Sequence, residues 1–141
     1  PGRLVQALSR NGWEPVQESD WLWVLQALNP EPDTASLPLL GRAFKGRSEA
    51  LILRRMLPES GALITLRLWD SGVRLQPGDQ VVYLVQVSEE QLVQLLGFFS
   101  YWRSAPYPVS EMNEIRRELS GFDQKETGHN VLLLRELKPG N

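Results

Sequence analysis

Apolar positions along the chain recur first at helical spacing, then at strand spacing, then at helical spacing again. Leu4, Val5 and Leu8 share one helical face, so residues 2–11 predict a short helix stopped at Gly12. Ser19 and Asp20 can cap a second helix, in which Trp21, Leu22, Leu25 and Leu28 recur at three- and four-residue steps until Asn29-Pro30 ends it. From there to Gly46 the chain is rich in proline, glycine and polar residues and reads as a long connection. Leu37, Leu39, Leu40 and Phe44 are the residues expected to pin that connection to the core.

The centre is strand-rich. Residues 50–57, 62–69 and 80–87 have strand length and are separated by turn residues. Pro58-Glu59-Ser60-Gly61 predicts a hairpin turn between the first two, and Gln76-Pro77-Gly78-Asp79 a second turn. Strands apolar on both faces predict a sheet covered by helices. Ser88 then stands three residues before Gln91, the capping-box spacing, and Leu92, Leu95 and Leu96 supply an inner face, so a helix is expected up to Gly97. Phe98, Phe99, Tyr101 and Trp102 follow in a short extended stretch. Ser110 can cap a further helix through Leu119, with Met112, Ile115 and Leu119 inward and Glu111, Glu114, Arg117 and Glu118 outward. After a polar loop, residues 131–137 predict a last strand. The pattern predicts an α+β fold, a single domain over residues 1–141. Its central, mainly antiparallel sheet would have about four to five strands packed with about four helices.

Composition narrows the partners. The 141 residues suit one core, and 42% hydrophobic with 23% charged residues is ordinary for a globular chain. A net charge of −2 lacks the basic excess that phosphate neutralisation demands, so no nucleic acid is expected as a partner. With no cysteine, disulfides, thiolate metal sites and a thiol nucleophile are excluded. No apolar run approaches the ~20 residues that span a bilayer as a helix. Pro1-Gly2-Arg3 reads as the edge of a domain excised from a larger protein.

Little in the sequence resembles catalytic machinery. His129 is the only histidine, in the loop Thr127-Gly128-His129-Asn130, with Asp123 and Glu126 upstream. A hydrolase centred on His129 with one of those carboxylates is one alternative. It lacks a recognisable nucleophile beside the imidazole. No histidine pair or regular carboxylate loop marks a metal, and no cofactor is expected. The stretch from Gly41 to Arg47 is basic and glycine-flanked but lacks the Gly-Lys-Ser/Thr ending of a phosphate loop. Arg42, Lys45 and Arg47 are still candidates for holding an anion, against the plainer reading of a solvated loop.

The strand arginines carry more information. Alternation puts Leu51, Leu53, Arg55 and Leu57 on one face of the first strand and Ile52, Arg54 and Met56 on the other. In the second strand Thr65, Arg67 and Trp69 share a face. A mid-strand guanidinium at Arg67 must be paired, stacked on a ring such as Trp69, or directed into a pocket. Arg54, Arg55, Arg67 and Trp69 are therefore ligand-binding candidates, with internal pairing the commoner fate. Of five tryptophans, Trp21 and Trp23 cannot share one helical face, so one of the two is expected near the surface.

Several of these stretches together resemble a known family. The helix from Leu4 towards Trp13, then Leu37-Pro38-Leu39-Leu40, Leu66-Arg67-Leu68-Trp69-Asp70-Ser71-Gly72 and Val82-Tyr83-Leu84-Val85-Gln86-Val87 resemble the LssY carboxy-terminal domain. Phe99-Ser100-Tyr101-Trp102-Arg103 is similar to the version at the end of bacterial membrane proteins of the DedA and lipid-phosphatase type. The resemblance covers nearly the whole chain through short, structural motifs. It implies a cytoplasmic attachment to a transmembrane region, with that region of its own parent chain as a partner. The lysine–arginine, Pro-Ser-Gly-His and arginine–histidine–aspartate segments of the phosphatases do not occur here, so none of their catalytic residues transfers. Relatives often carry a histidine-rich segment where residues 98–103 have no histidine.

The expected function is a non-catalytic accessory or regulatory binding domain on the cytoplasmic face of the inner membrane. Its expected ligands are a partner segment, membrane headgroups or an anionic group, met through Arg67 with Arg54, Arg55 or the 42–47 loop. The His129 hydrolase and a self-association module using residues 98–102 are the alternatives.

Overall fold

A long strand through the middle of the chain organises everything else. The computed structural model describes residues 2–16, 25, 27–29, 31, 37, 39, 42–105, 109–128 and 130–136. Among these lie helix α1 (Gly2–Ser9) and strands β1 (Glu14–Pro15), β2 (Ala43–Phe44), β3 (Arg47–Ser48), β4 (Leu51–Met56), β5 (Leu63–Leu75), β6 (Gln80–Leu95) and β7 (Phe99–Ser104). Helix α2 (Met112–Glu118) and strands β8 (Phe122–Gly128) and β9 (Val131–Glu136) complete the order. The sheet runs β1-β4-β5-β6-β9-β8, with β7 also paired to β6, and every pairing is antiparallel. Strands β2 and β3 form a separate hairpin turned at Lys45 and Gly46, both at positive φ.

The two faces of the sheet are built differently. Paired residues lie on one face, so the register groups Leu53 with Leu66, Val87 and, across Val85, Leu132. These pack under Leu4 and Leu8 of α1, Ile115 of α2 and Leu119 beyond it, in a core that also holds Trp13 and Val109. Each of these side chains is at most 4% exposed, and burying one stabilises by about 1.5–3 kcal/mol. The opposite face carries Met56, Leu63 and Trp102, met by Leu37 and Leu39. Here Phe44 of the small hairpin lies 6.4 Å from Trp69. Leu37, Leu39 and Phe44 pack on this face, as expected of them.

Several expectations are overturned. The fold is mostly β, a seven-stranded antiparallel sheet with two helices among the described residues, and not an α+β fold with four. The helix expected after Ser88 does not form. Instead β6 continues through it to Leu95, because Ser88 pairs with Thr65, Glu90 with Leu63, and residues 90–95 with β7. Those ladder bonds and buried neighbours outweigh a local capping signal. The polar loop before the last strand is β8, an edge strand whose Asp123, Lys125 and Glu126 discourage pairing with another chain. Strand β5 runs past Trp69 to Leu75 through a bulge between Asp70 and Arg74. Helix α2 starts after Glu111 and not at a Ser110 cap; the Ser110 hydroxyl donates to the Glu111 carboxylate. Most of the helix expected at residues 21–28, with Trp21 and Trp23, lies outside the described residues, as do Leu40, His129 and Leu137. No helix among the described residues is long and apolar enough to cross a membrane.

Candidate functional site

Arg67 points to the face opposite the helices, in line with Thr65 and Trp69 as alternation requires. Its Nη1 donates to Glu49 Oε1 at 2.7 Å, and its Nη2 lies 3.9 Å from Glu90 Oε1. The three side chains are 2%, 8% and 1% exposed. Glu90 Oε1 also accepts from the hydroxyls of Thr65 at 2.6 Å and Ser104 at 2.8 Å. Glu49 Oε1 accepts the backbone N–H of Arg42 at 2.5 Å, while the Arg42 guanidinium donates to Gln86. One buried cation is thus shared between two carboxylates, one from the 42–49 connection and one from β6. Its charge is already balanced inside the protein. Trp69 does not stack on it; the indole meets Phe44 instead. The Nε of Arg67, the Oε2 of Glu90 and the Nε1 of Trp69 are buried without a hydrogen-bond partner among the described residues.

Arg55 faces the helices. Its guanidinium lies 4.7 Å from the Trp13 ring centroid, bonds Glu118 at 2.6 Å and the carbonyl of Asn11 at 3.3 Å, and approaches Glu114 at 3.8 Å. The Trp13 indole N–H donates to the other oxygen of Glu118 at 2.8 Å. This cluster ties β4 to α2 and to the segment that follows α1. Arg54, on the opposite face beside Thr65, is half-buried. The sequence candidates are therefore divided between the two sides of the sheet and do not form one site.

The basic hairpin is partly engaged too. Arg47 Nη1 donates to the Asp70 carbonyl at 3.3 Å, and Lys45 Nζ sits 5.7 Å from the Phe44 ring centroid. Asp70 is bonded by Arg74 at 2.9 and 3.0 Å and by the Gly72 N–H at 2.8 Å. The Arg74 hydrogen bond, then that of Gly72, holds the Asp70 carboxyl down to about 2. Of the carboxylates proposed to serve His129, Asp123 is in an ion pair with Arg135, and Glu126 with Arg116 at 3.1 Å. His129 itself lies outside the described residues. Among the described residues no group of three or more His, Cys, Asp or Glu is placed to hold a metal ion.

The feature missed by periodicity is the ribbon of β6 and β7 beyond Glu90. It turns at Leu95-Leu96-Gly97-Phe98, with Leu96 at φ 54° and Gly97 at φ 78°, the signature of a type I′ turn. The Phe98 N–H closes it onto the Leu95 carbonyl at 3.3 Å. Leu92 is 47% exposed, Leu95 52%, Leu96 80% and Phe98 50%. Register puts Leu92 on the face of Trp102, and Leu95 on the other face with Phe99. Two apolar residues on each side of Gly97, Leu95-Leu96 and Phe98-Phe99, were the available signal for a hairpin. The helical spacing of Leu92, Leu95 and Leu96 concealed it.

Comparison of the chain with family models, with curated proteins and with solved structures returned no match. The likeness to the LssY carboxy-terminal domain accordingly stands on the short motifs of the sequence, and the fold stands on the register of its own strands.

Proposed function

We propose that this chain is a non-catalytic accessory or regulatory binding domain of a bacterial membrane-bound lipid phosphatase or DedA-type protein, and that it meets its partner through the β6–β7 ribbon. The observation carrying this reading is the cluster of large apolar side chains at the ribbon tip, with Leu96 80% exposed. Exposed apolar clusters on folded chains mark recognition surfaces. The parent protein and the cytoplasmic face of the inner membrane come into the reading through the sequence motifs alone. An anionic ligand has less support: Arg67 is balanced by Glu49 and Glu90, which leaves the 42–47 hairpin, and there chiefly Lys45, to receive it. A hydrolase has less still, since Asp123 and Glu126 are held by Arg135 and Arg116.

The test is the double substitution Leu96→Asn with Phe98→Ser in the parent protein. Asparagine suits the left-handed turn position, so the domain stays folded. Loss of the parent's function without loss of thermal stability is expected. Unchanged function rules the ribbon out as the recognition element.

A further inference from the structure

We infer that the ribbon tip seats in the interfacial layer of a lipid bilayer, with Leu95, Leu96 and Phe98 against the acyl chains just below the headgroups. This rests on the reading of the ribbon as the recognition element and names what it recognises.

Three features of the ribbon favour a bilayer over a protein groove or a second copy. Residues 92–102 contain no charged side chain, and the first charge after them is Arg103, exposed at the ribbon base on the face of Tyr101. A cation there complements the phosphates of the headgroup layer while the uncharged stretch enters below it. The apolar residues are also arranged all round: Leu92 on one face, Leu95 on the other, Leu96 and Phe98 at the turn. A flat protein surface would cover one face and leave the other in water. A fluid medium that surrounds the tip covers both. Third, the tip is small. A stable protein interface takes about 800 Å² and roughly 20 residues from each partner, whereas the exposed apolar residues here number four on one hairpin. Insertion into lipid needs no shape complementarity, and its strength grows with each apolar side chain submerged.

The turn itself points the same way. A type I′ turn favours asparagine or aspartate before its glycine, yet this one holds leucine at φ 54°, in solvent and in a backbone region that disfavours it. Depth is limited by the backbone. Beyond Trp102, which also bridges to Leu39, no strand among the described residues pairs the outer edges of the ribbon. Unpaired peptide groups do not enter the hydrocarbon core, so only the turn is submerged, and Tyr101 and Trp102 stay at or above headgroup level.

The experiment is co-sedimentation of the 141-residue chain with large unilamellar vesicles. One set is phosphatidylcholine alone and the other phosphatidylcholine mixed with phosphatidylglycerol; analytical ultracentrifugation without lipid accompanies both. Binding to both sets is expected, tighter with phosphatidylglycerol, and Leu96→Asn with Phe98→Ser is expected to weaken both by about tenfold or more. Leu96→Asn alone gives an intermediate loss and guards against a double variant that fails to fold. If the unsubstituted 141-residue chain does not pellet with either vesicle, or the double variant pellets equally well, the bilayer inference is overturned. A concentration-dependent dimer dissolved by the same substitutions, without vesicle binding, would overturn the bilayer while keeping the ribbon as a recognition element. Absence of vesicle binding together with unaltered parental function would remove both.

Discussion

Arg67, in the middle of β5, donates to Glu49 across 2.7 Å with both side chains almost wholly out of water. The same guanidinium leans towards Glu90 on the neighbouring strand, so a single cation joins the 42–49 connection to the sheet. Removing it strands two buried carboxylates. Arg67→Met is expected to cost about 3–5 kcal/mol in urea unfolding, with part recovered when Glu49→Gln and Glu90→Gln are added. A cost below about 1 kcal/mol would show that Arg67 is not what holds the connection in place.

Arg55 and Trp13 make a second junction on the helical side through Glu118. Trp13→Phe keeps a ring under the guanidinium but deletes the N–H that Glu118 accepts. A loss of about 1–2 kcal/mol is expected. A double-mutant cycle of Arg55→Met with Glu118→Leu is expected to return a coupling of about 1–3 kcal/mol; additive losses would mean that the close contact stores nothing.

The pH response has a defined sign at two side chains. Asp70 titrates at about 2 in the folded chain, below its ordinary 3.8, through the Arg74 and Gly72 hydrogen bonds. Its stabilising contribution is therefore complete above about pH 4 and disappears as pH falls towards 2. Burial, followed by the charges of Glu136 and Asp70, pushes the Tyr83 phenol above its ordinary 10. That contribution holds up to about pH 10 and is lost as pH rises through the folded value. Carboxyl titration by NMR should find Asp70 moving back towards 3.8 in Arg74→Gln; an unmoved Asp70 would rule out Arg74 as the main cause.

Leu96 occupies a left-handed position that asparagine or glycine takes more easily. Leu96→Asn is expected to raise stability by about 1 kcal/mol, seen as a higher melting temperature. A fall would mean that the turn is not type I′ in solution.

The parts of this fold legible in the sequence are those in which local preference and tertiary pairing agree. Residues 50–57, 62–69 and 80–87 were recognisable because turns bound them and apolar residues fill them, and β4, the first half of β5 and the first half of β6 fall there. The face assignments of Arg55, Arg67 and Trp69 followed from alternation and hold in the register. The second half of β6 was hidden by leucines at positions 92, 95 and 96, which fit a helix as well as a hairpin end. Strand β8 was hidden by its polarity, since an edge strand has little to bury. Glu49 and Glu90 could not be named as the partners of Arg67 because they lie 18 and 23 positions away and only the strand register brings them close. The ribbon escaped notice for the same reason as the strand that builds it.

Strand β6 has one further consequence. Its 16 residues run without glycine or proline from the middle of the sheet to the ribbon tip, a span of roughly 50 Å. Glu90 lies within it, paired with Leu63 on one side and Ser104 on the other. The strand that carries the exposed tip is therefore the same one that carries the carboxylate beside Arg67. A single uninterrupted strand thus serves both the exposed end of the molecule and its buried charge cluster.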